Sequence, residues 1–157
     1  MTAPFRTPLA TLLLAVGVLA GCAPTVVLEP AVNANTVACA NMMVRLPDTL
    51  AELPRRSVTS QSTAAWGEPV AVIVRCGLPT PPPSTLPCAT VEGIDWLRDD
   101  SDAPSFVFTT YGLDPATEVI VDSEVVSGTS VLRELSRAIG SQSAPIAQCL
   151  DPVTALN

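Results

Sequence analysis

Five cysteines, at positions 22, 39, 76, 88 and 149, constrain this 157-residue chain more than any other feature, because each pairing among them dictates which distant segments must meet. Cys22 stands apart. It follows an uncharged run, Leu9 to Ala20, with Arg6 the one basic residue ahead of it. A twelve-residue helix is about 18 Å long against about 30 Å of bilayer hydrocarbon, so the run reads as the apolar region of a secretion signal, not a transmembrane helix. Outside the cytoplasm, the four other cysteines are expected to form two disulfides in one of three pairings. The loop from Cys76 to Cys88 contains "GLPTPPPST", which continues neither a strand nor a helix and whose ends can meet as a hairpin-like excursion. Cys76 with Cys88 is therefore the preferred local bridge. Cys39 and Cys149 then clip the two ends of the domain together.

The stretch Leu19-Ala20-Gly21-Cys22 resembles the lipobox of bacterial lipoproteins. The resemblance implies cleavage before Cys22 and a diacylglyceryl group on its sulfur, making residues 1–21 a lipoprotein signal peptide. Two acyl chains anchor durably where one is marginal, which puts the protein on the outer face of the plasma membrane. Residues 22–35 carry Pro24 and Pro30 and no sustained period, so they are expected as a flexible tether, with an edge strand over Thr25–Leu28 as the alternative. Residues 36–157 are left for a single extracytoplasmic domain.

Without its first 21 residues the chain has 136, with seven arginines, no lysine, no histidine and fifteen carboxylates. So acidic a surface does not suit a nucleic-acid backbone, and no nucleic-acid partner is expected. With no Cys-x-x-Cys pair and no histidine, no metal site is expected. Asp99, Asp100 and Asp102 imitate the start of a calcium loop but lack its glycine and distal glutamate, so they read as a solvated loop.

Periodicity predicts an α+β fold with a mostly antiparallel sheet of four to six strands covered by a C-terminal helix. "TVACANMMVRL" is read as a strand holding Cys39, and "PDTLAELP" as a short helix capped by Asp48. "VAVIVRC", Val70 to Cys76, is read as a central strand covered on both faces. "ATVEGIDWL" turns at Glu92-Gly93, while "SFVFTTYG" and "TEVIVD" alternate as strands joined by the Gly112–Pro115 turn. In "SVLRELSRAIG" the period becomes about 3.6, with Val131, Leu132, Leu135, Ala138 and Ile139 on one stripe, a cap at Thr129 or Ser130, and Gly140 closing the helix in the left-handed conformation.

The linked motifs "RLPDTLAELPRR", "TSQSTAAWGEPVAVIVRCG", "VEGIDWL" and "FVFTTYG" resemble an uncharacterised family of small actinobacterial secreted proteins and lipoproteins. The resemblance implies membrane attachment in a Gram-positive envelope and supplies no catalytic residues. The residues agree in pointing away from an enzyme: there is no histidine base, no lysine nucleophile, no Gly-x-Ser-x-Gly elbow and no phosphate or dinucleotide loop, so no cofactor is expected. Charge is uneven, with nine carboxylates and one arginine from Glu92 to Glu124. Arg55, Arg56 and Arg75 are candidates for an anion-binding or partner-binding face, and Trp66 and Tyr111 for aromatic contacts. The expectation is a lipid-anchored module that binds another envelope protein or a wall component, the alternative being a binding protein for a small anionic or glycan ligand.

Overall fold

The computed structural model describes residues 24–150. Among these the elements run α1 (Val37–Met43), β1 (Thr49–Leu50), β2 (Leu53–Arg56), β3 (Thr63–Trp66), β4 (Val72–Leu78), β5 (Cys88–Val91), β6 (Ile94–Asp102), β7 (Ser105–Tyr111), β8 (Ala116–Asp122) and α2 (Gly128–Ile139). All eight strands form one antiparallel sheet in the order β1-β2-β3-β4-β8-β7-β6-β5. The fold is α+β, with more strands than the four to six expected, because several are only two to four residues long.

Cross-strand partners share a face, so the register sorts the side chains. Trp66, Val72 and Val121 lie opposite one another on the inner face, and all are fully buried. Ala65, Ile73, Ile120 and Val107 fall on the outer face, where Ile73, Ile120 and Val107 are only partly buried. The central strand β4 is thus covered on one face, not two. α2 covers the inner face with Val131, Leu132, Leu135, Ala138 and Ile139, the stripe that periodicity marks out. Its ends differ from expectation: Ser127 is the N-cap residue, and Gly140 ends the helix in a right-handed conformation.

The β5–β6 hairpin turns at Glu92-Gly93, both at positive φ, and β7 pairs with β8 through the Gly112–Pro115 connection, as alternation predicts. Two short segments reverse their expected types. "PDTLAELP" forms the β1–β2 hairpin with Ala51 and Glu52 in the left-handed region, held from α2 by the Glu134 carboxylate, which accepts the Ala51 N–H at 3.0 Å. Residues 37–43 form a helix because Thr36 caps it by accepting from the Cys39 N–H, and Cys39 and Met42, one turn apart, are buried against the sheet.

The disulfides join Cys39 to Cys76 and Cys88 to Cys149, correcting both expected pairs. Strand order explains why. β4 and β5 are four places apart in the sheet, about 19 Å at the usual strand spacing, whereas bridged Cα atoms lie within about 7 Å. The two residues also face opposite ways: Cys76 is fully buried on the inner face, and Cys88 alternates with the buried Ala89 onto the outer face. The proline-rich residues 79–87 are a crossover and not a closed excursion; nine extended residues reach about 30 Å, enough to span the sheet. Thr80 fastens this crossover to the β7–β8 turn by donating to the Leu113 carbonyl at 3.0 Å.

Residues 24–35, expected as a free tether, are bound to the domain. Val26 forms a parallel bridge with Val58, a rudiment of the alternative edge strand, and the Asn33 N–H donates to the Gly77 carbonyl at 2.9 Å. Gly77 has φ +110°, and a Cβ there would collide with the backbone of Asn33 and Ala34. Only glycine lets the N-terminal segment cross β4 so closely.

Candidate functional site

The three candidate arginines do not converge. Arg55 lies on the inner face beside Trp66, its guanidinium 5.8 Å from the ring centroid. Arg56 points the other way, with a side chain only 7% exposed that pairs with Glu68 at 3.0 Å and donates to the carbonyls of Gly67 and Pro24 at 2.8 Å each. Arg75 is held by Glu118 through Nε at 2.9 Å and Nη2 at 2.8 Å. Arg56 and Arg75 are occupied in holding the fold and Arg55 lies on the opposite face from both, so the shared anion site is withdrawn. Trp66 is fully buried and donates its Nε1–H to the Pro47 carbonyl at 3.1 Å, which makes it a core residue and not a ligand platform.

The aspartates of "RDDSD" belong to β6 and its turn. The Asp99 carboxyl is held below its ordinary pKa by the backbone N–H and then the side chain of Ser101, and Asp100 pairs with Arg98 at 2.8 Å. Among the described residues no three carboxylates or cysteines converge on a metal-sized space.

Tyr111, the chain's one tyrosine, leads elsewhere. It stands at the end of β7, half-buried on the outer face opposite Asp95. Beside it opens a cleft of about 450 Å³, bounded by the β5–β6 turn, the end of α2 and the segment after α2. Its walls mix polar groups (Thr90, Glu92, Asp95, Tyr111, Ser143, Gln148) with apolar ones (Ile94, Leu113, Pro145, Ala147). The Ser143 hydroxyl there is shielded from solvent and has no hydrogen-bond partner among the described residues. Glu92 is bridged at 3.5 Å by the exposed Arg133.

The segment after α2 builds the outer wall. Gln142 is buried, accepting from the Thr117 hydroxyl at 2.9 Å and donating to the Cys76 sulfur at 3.0 Å. The chain then leaves the core. Ile146 donates its N–H to the Gly112 carbonyl at 2.7 Å, and Gly112, at φ +83°, lies so close beneath that a Cβ would strike the Ala147 carbonyl. Cys149 finally bonds to Cys88 while its N–H donates at 2.7 Å to Asp95, whose other oxygen accepts from Thr90 at 2.5 Å. Tyr111, Gln148 and Cys149 also line a second cavity of about 320 Å³, with Pro83, Leu86 and Leu97 across from them.

Tyr111 was visible in the sequence as a candidate, and the structure places it in the cleft. Asp95, Gly112 and residues 143–149 were missed as parts of one site. The signal for them was the Cys88–Cys149 pairing, which depends on strand order. Cys22 lies outside the described residues. A family model described as "Protein of unknown function (DUF3515)" matches residues 8–147. No curated protein and no solved structure matches the chain.

Proposed function

The chain belongs to the DUF3515 family of proteins of unknown function, and from that premise we propose that it is a lipid-anchored, non-catalytic domain of a Gram-positive, actinobacterial envelope that binds a neutral glycan in the Tyr111 cleft. The observation that carries the binding reading is the cleft: a partly exposed aromatic residue beside the hydrogen-bonding groups of Thr90, Asp95 and Gln148 is the lining that recognises a polyhydroxylated ligand. An anionic ligand fits less well, because Glu92 and Asp95 both line the space. The test is an NMR titration with N-acetylglucosamine oligosaccharides and neutral hexose oligosaccharides, using inorganic phosphate as the anionic control. Shifts at Tyr111, Ile94 and Ala147 with a sugar, lost in Tyr111→Ala, support the reading. Shifts with phosphate alone, or none at millimolar sugar, contradict it.

The anchor reading rests on the Leu19-Ala20-Gly21-Cys22 stretch and gains support from the residues just beyond it. Only about 7 Å of chain separates Cys22 from Pro24, where the described structure begins, so lipid on Cys22 brings the domain against the outer face of the plasma membrane. Val27, Val32, Val37 and Val44, each more than three-quarters exposed, lie within that same N-terminal part. Replacing Cys22 by Ala should leave unprocessed precursor in place of a membrane-bound, acylated product, as membrane fractionation and intact-mass analysis will show. A wild-type protein without acyl mass contradicts the assignment.

A further inference from the structure

We propose that the Cys88–Cys149 disulfide is a thiol-operated latch: its exchange with a dithiol releases residues 143–149 and joins the two cavities on either side of Tyr111 into one groove. The regulatory consequence for ligand binding rests on the glycan reading of the cleft. The latch itself rests on geometry alone.

The strap has a firm root and a weak free end. Its root, Gln142, is buried and hydrogen-bonded to Thr117 and Cys76. Beyond it, Ala144, Pro145, Ile146 and Gln148 are exposed, with Ile146 at 71%. Two backbone hydrogen bonds, to Gly112 and Asp95, and the disulfide hold this stretch down. Two partly exposed hydrogen bonds cannot keep seven residues in place against the chain entropy their release recovers, so the covalent bond decides the position of the strap. Cys88, on the edge strand β5, and Cys149 are both partly exposed, which leaves this bridge more open to a thiolate than the other. Cys39 and Cys76, by contrast, are both 0% exposed.

Gln148 and Cys149 face both cavities, so they are the partition between them. Withdrawing them leaves Tyr111 with open space on each side. The exchange balances as a two-electron transfer. One thiolate of the dithiol attacks a sulfur of the bridge, forming a mixed disulfide and expelling the other cysteine as thiolate. The second thiol of the reagent then displaces the remaining cysteine, leaving an oxidised cyclic disulfide and two protein thiols once protons are taken up.

The test uses the chain from Cys22 onward, without the signal sequence, treated with dithiothreitol under native conditions and then alkylated with iodoacetamide. Peptide mapping should find the label on Cys88 and Cys149 while Cys39–Cys76 stays intact. Near-ultraviolet circular dichroism should keep its native tryptophan signal. Nitration of Tyr111, a site-specific reporter because the chain has no other tyrosine, should then speed up on the order of fivefold, as expected for a locally opened segment. Cys88→Ser/Cys149→Ser should show the faster nitration without reductant. Label on Cys39 and Cys76 at the same rate, or an unchanged nitration rate in both the reduced protein and the double variant, overturns the latch. Repeating the oligosaccharide titration on both forms separates the two readings: faster nitration with sugar binding to neither form upholds the latch and removes the glycan site.

Discussion

The two ends of the described chain cross the sheet by the same device. Near its start, Ala34 passes over Gly77 at positive φ and the adjoining helix is bonded through Cys39 to Cys76. Near its end, Ala147 passes over Gly112 at positive φ and Cys149, two residues on, is bonded to Cys88. In each case backbone lies on backbone where only glycine leaves room. What separates them is burial. The first crossing sits on the central strand with its disulfide sealed under Met42, Thr117 and Gln142, while the second lies just past the end of β7 and runs to the edge strand β5, where both bridged cysteines are partly exposed. One motif thus serves twice, once as a permanent joint and once as a wall that can be lifted.

The largest difference should appear when each bridge is removed. Loop closure alone assigns about 3.8 kcal/mol to the bridge of sequence separation 37 and about 4.3 kcal/mol to that of separation 61. The burial contrast predicts the opposite order. Without Cys88–Cys149 the strap detaches while the remainder stays folded, so the native state regains entropy too. Around Cys39–Cys76 nothing can relax. Urea unfolding should show Cys39→Ala/Cys76→Ala losing about 4 kcal/mol and Cys88→Ala/Cys149→Ala about half as much. Equal losses, or a larger loss for the second variant, would break the comparison.

Next in size are the glycines. Gly77→Ala forces both a strained φ and a collision with an N-terminal segment that cannot move, and should cost about 3 kcal/mol. Gly112→Ala carries the same strained φ and collision, but the stretch between Gln142 and the intact Cys88–Cys149 bridge can bow outward, so about 2 kcal/mol is expected, accompanied by faster proteolysis between residues 143 and 149. Thermal melts and limited digestion of the two variants check this pair. Protection of the strap in Gly112→Ala would show that the crossing is not held by that contact.

Asp95→Ala should come third. It removes the carboxylate that accepts the Cys149 N–H, costing about 1 kcal/mol and hastening reduction of Cys88–Cys149 without affecting Cys39–Cys76. Reduction followed by mass spectrometry reads both bridges at once. The smallest effect is the control: Glu118→Gln, which weakens the half-buried Arg75 pair on the outer face but keeps an acceptor for it, should lower stability by about 0.5 kcal/mol and leave both reduction rates unchanged.

Much of this architecture was legible from side-chain pattern. Val119 and Val121 alternating with Glu118 and Ile120, the Glu92-Gly93 turn and the Val131–Ile139 stripe all fix element type locally, because burial on one face imposes its own period. The errors fall where a distant partner decides. The β1–β2 turn depends on Glu134, eighty-three residues away, and α1 on a bridge to β4. The cysteine pairing went wrong for the same reason: β4 lies next to β8 and not next to the strand that comes after it in the chain, and no local signal in "GLPTPPPST" distinguishes a closed loop from a crossover. Of the candidate site residues, Tyr111 faces the cleft, but Trp66 is absorbed by the core, Arg56 and Arg75 by their carboxylate and carbonyl partners, and Arg55 lies against the Trp66 ring. An arginine paired with glutamate looks the same in sequence as a free one.

Hydrogen exchange at two pairs of amides measures the contrast most directly. The N–H groups of Ile146 and Cys149 are bonded only through the strap, whereas those of Ala40 and Val44 close the helix beside the sealed bridge. Under mild dithiol treatment, exchange at Ile146 and Cys149 should rise toward the unprotected rate while Ala40 and Val44 keep their protection. Parallel loss of protection at all four amides, or unchanged protection at Ile146 and Cys149 after Cys88–Cys149 has been cleaved, would contradict a strap held by its own disulfide.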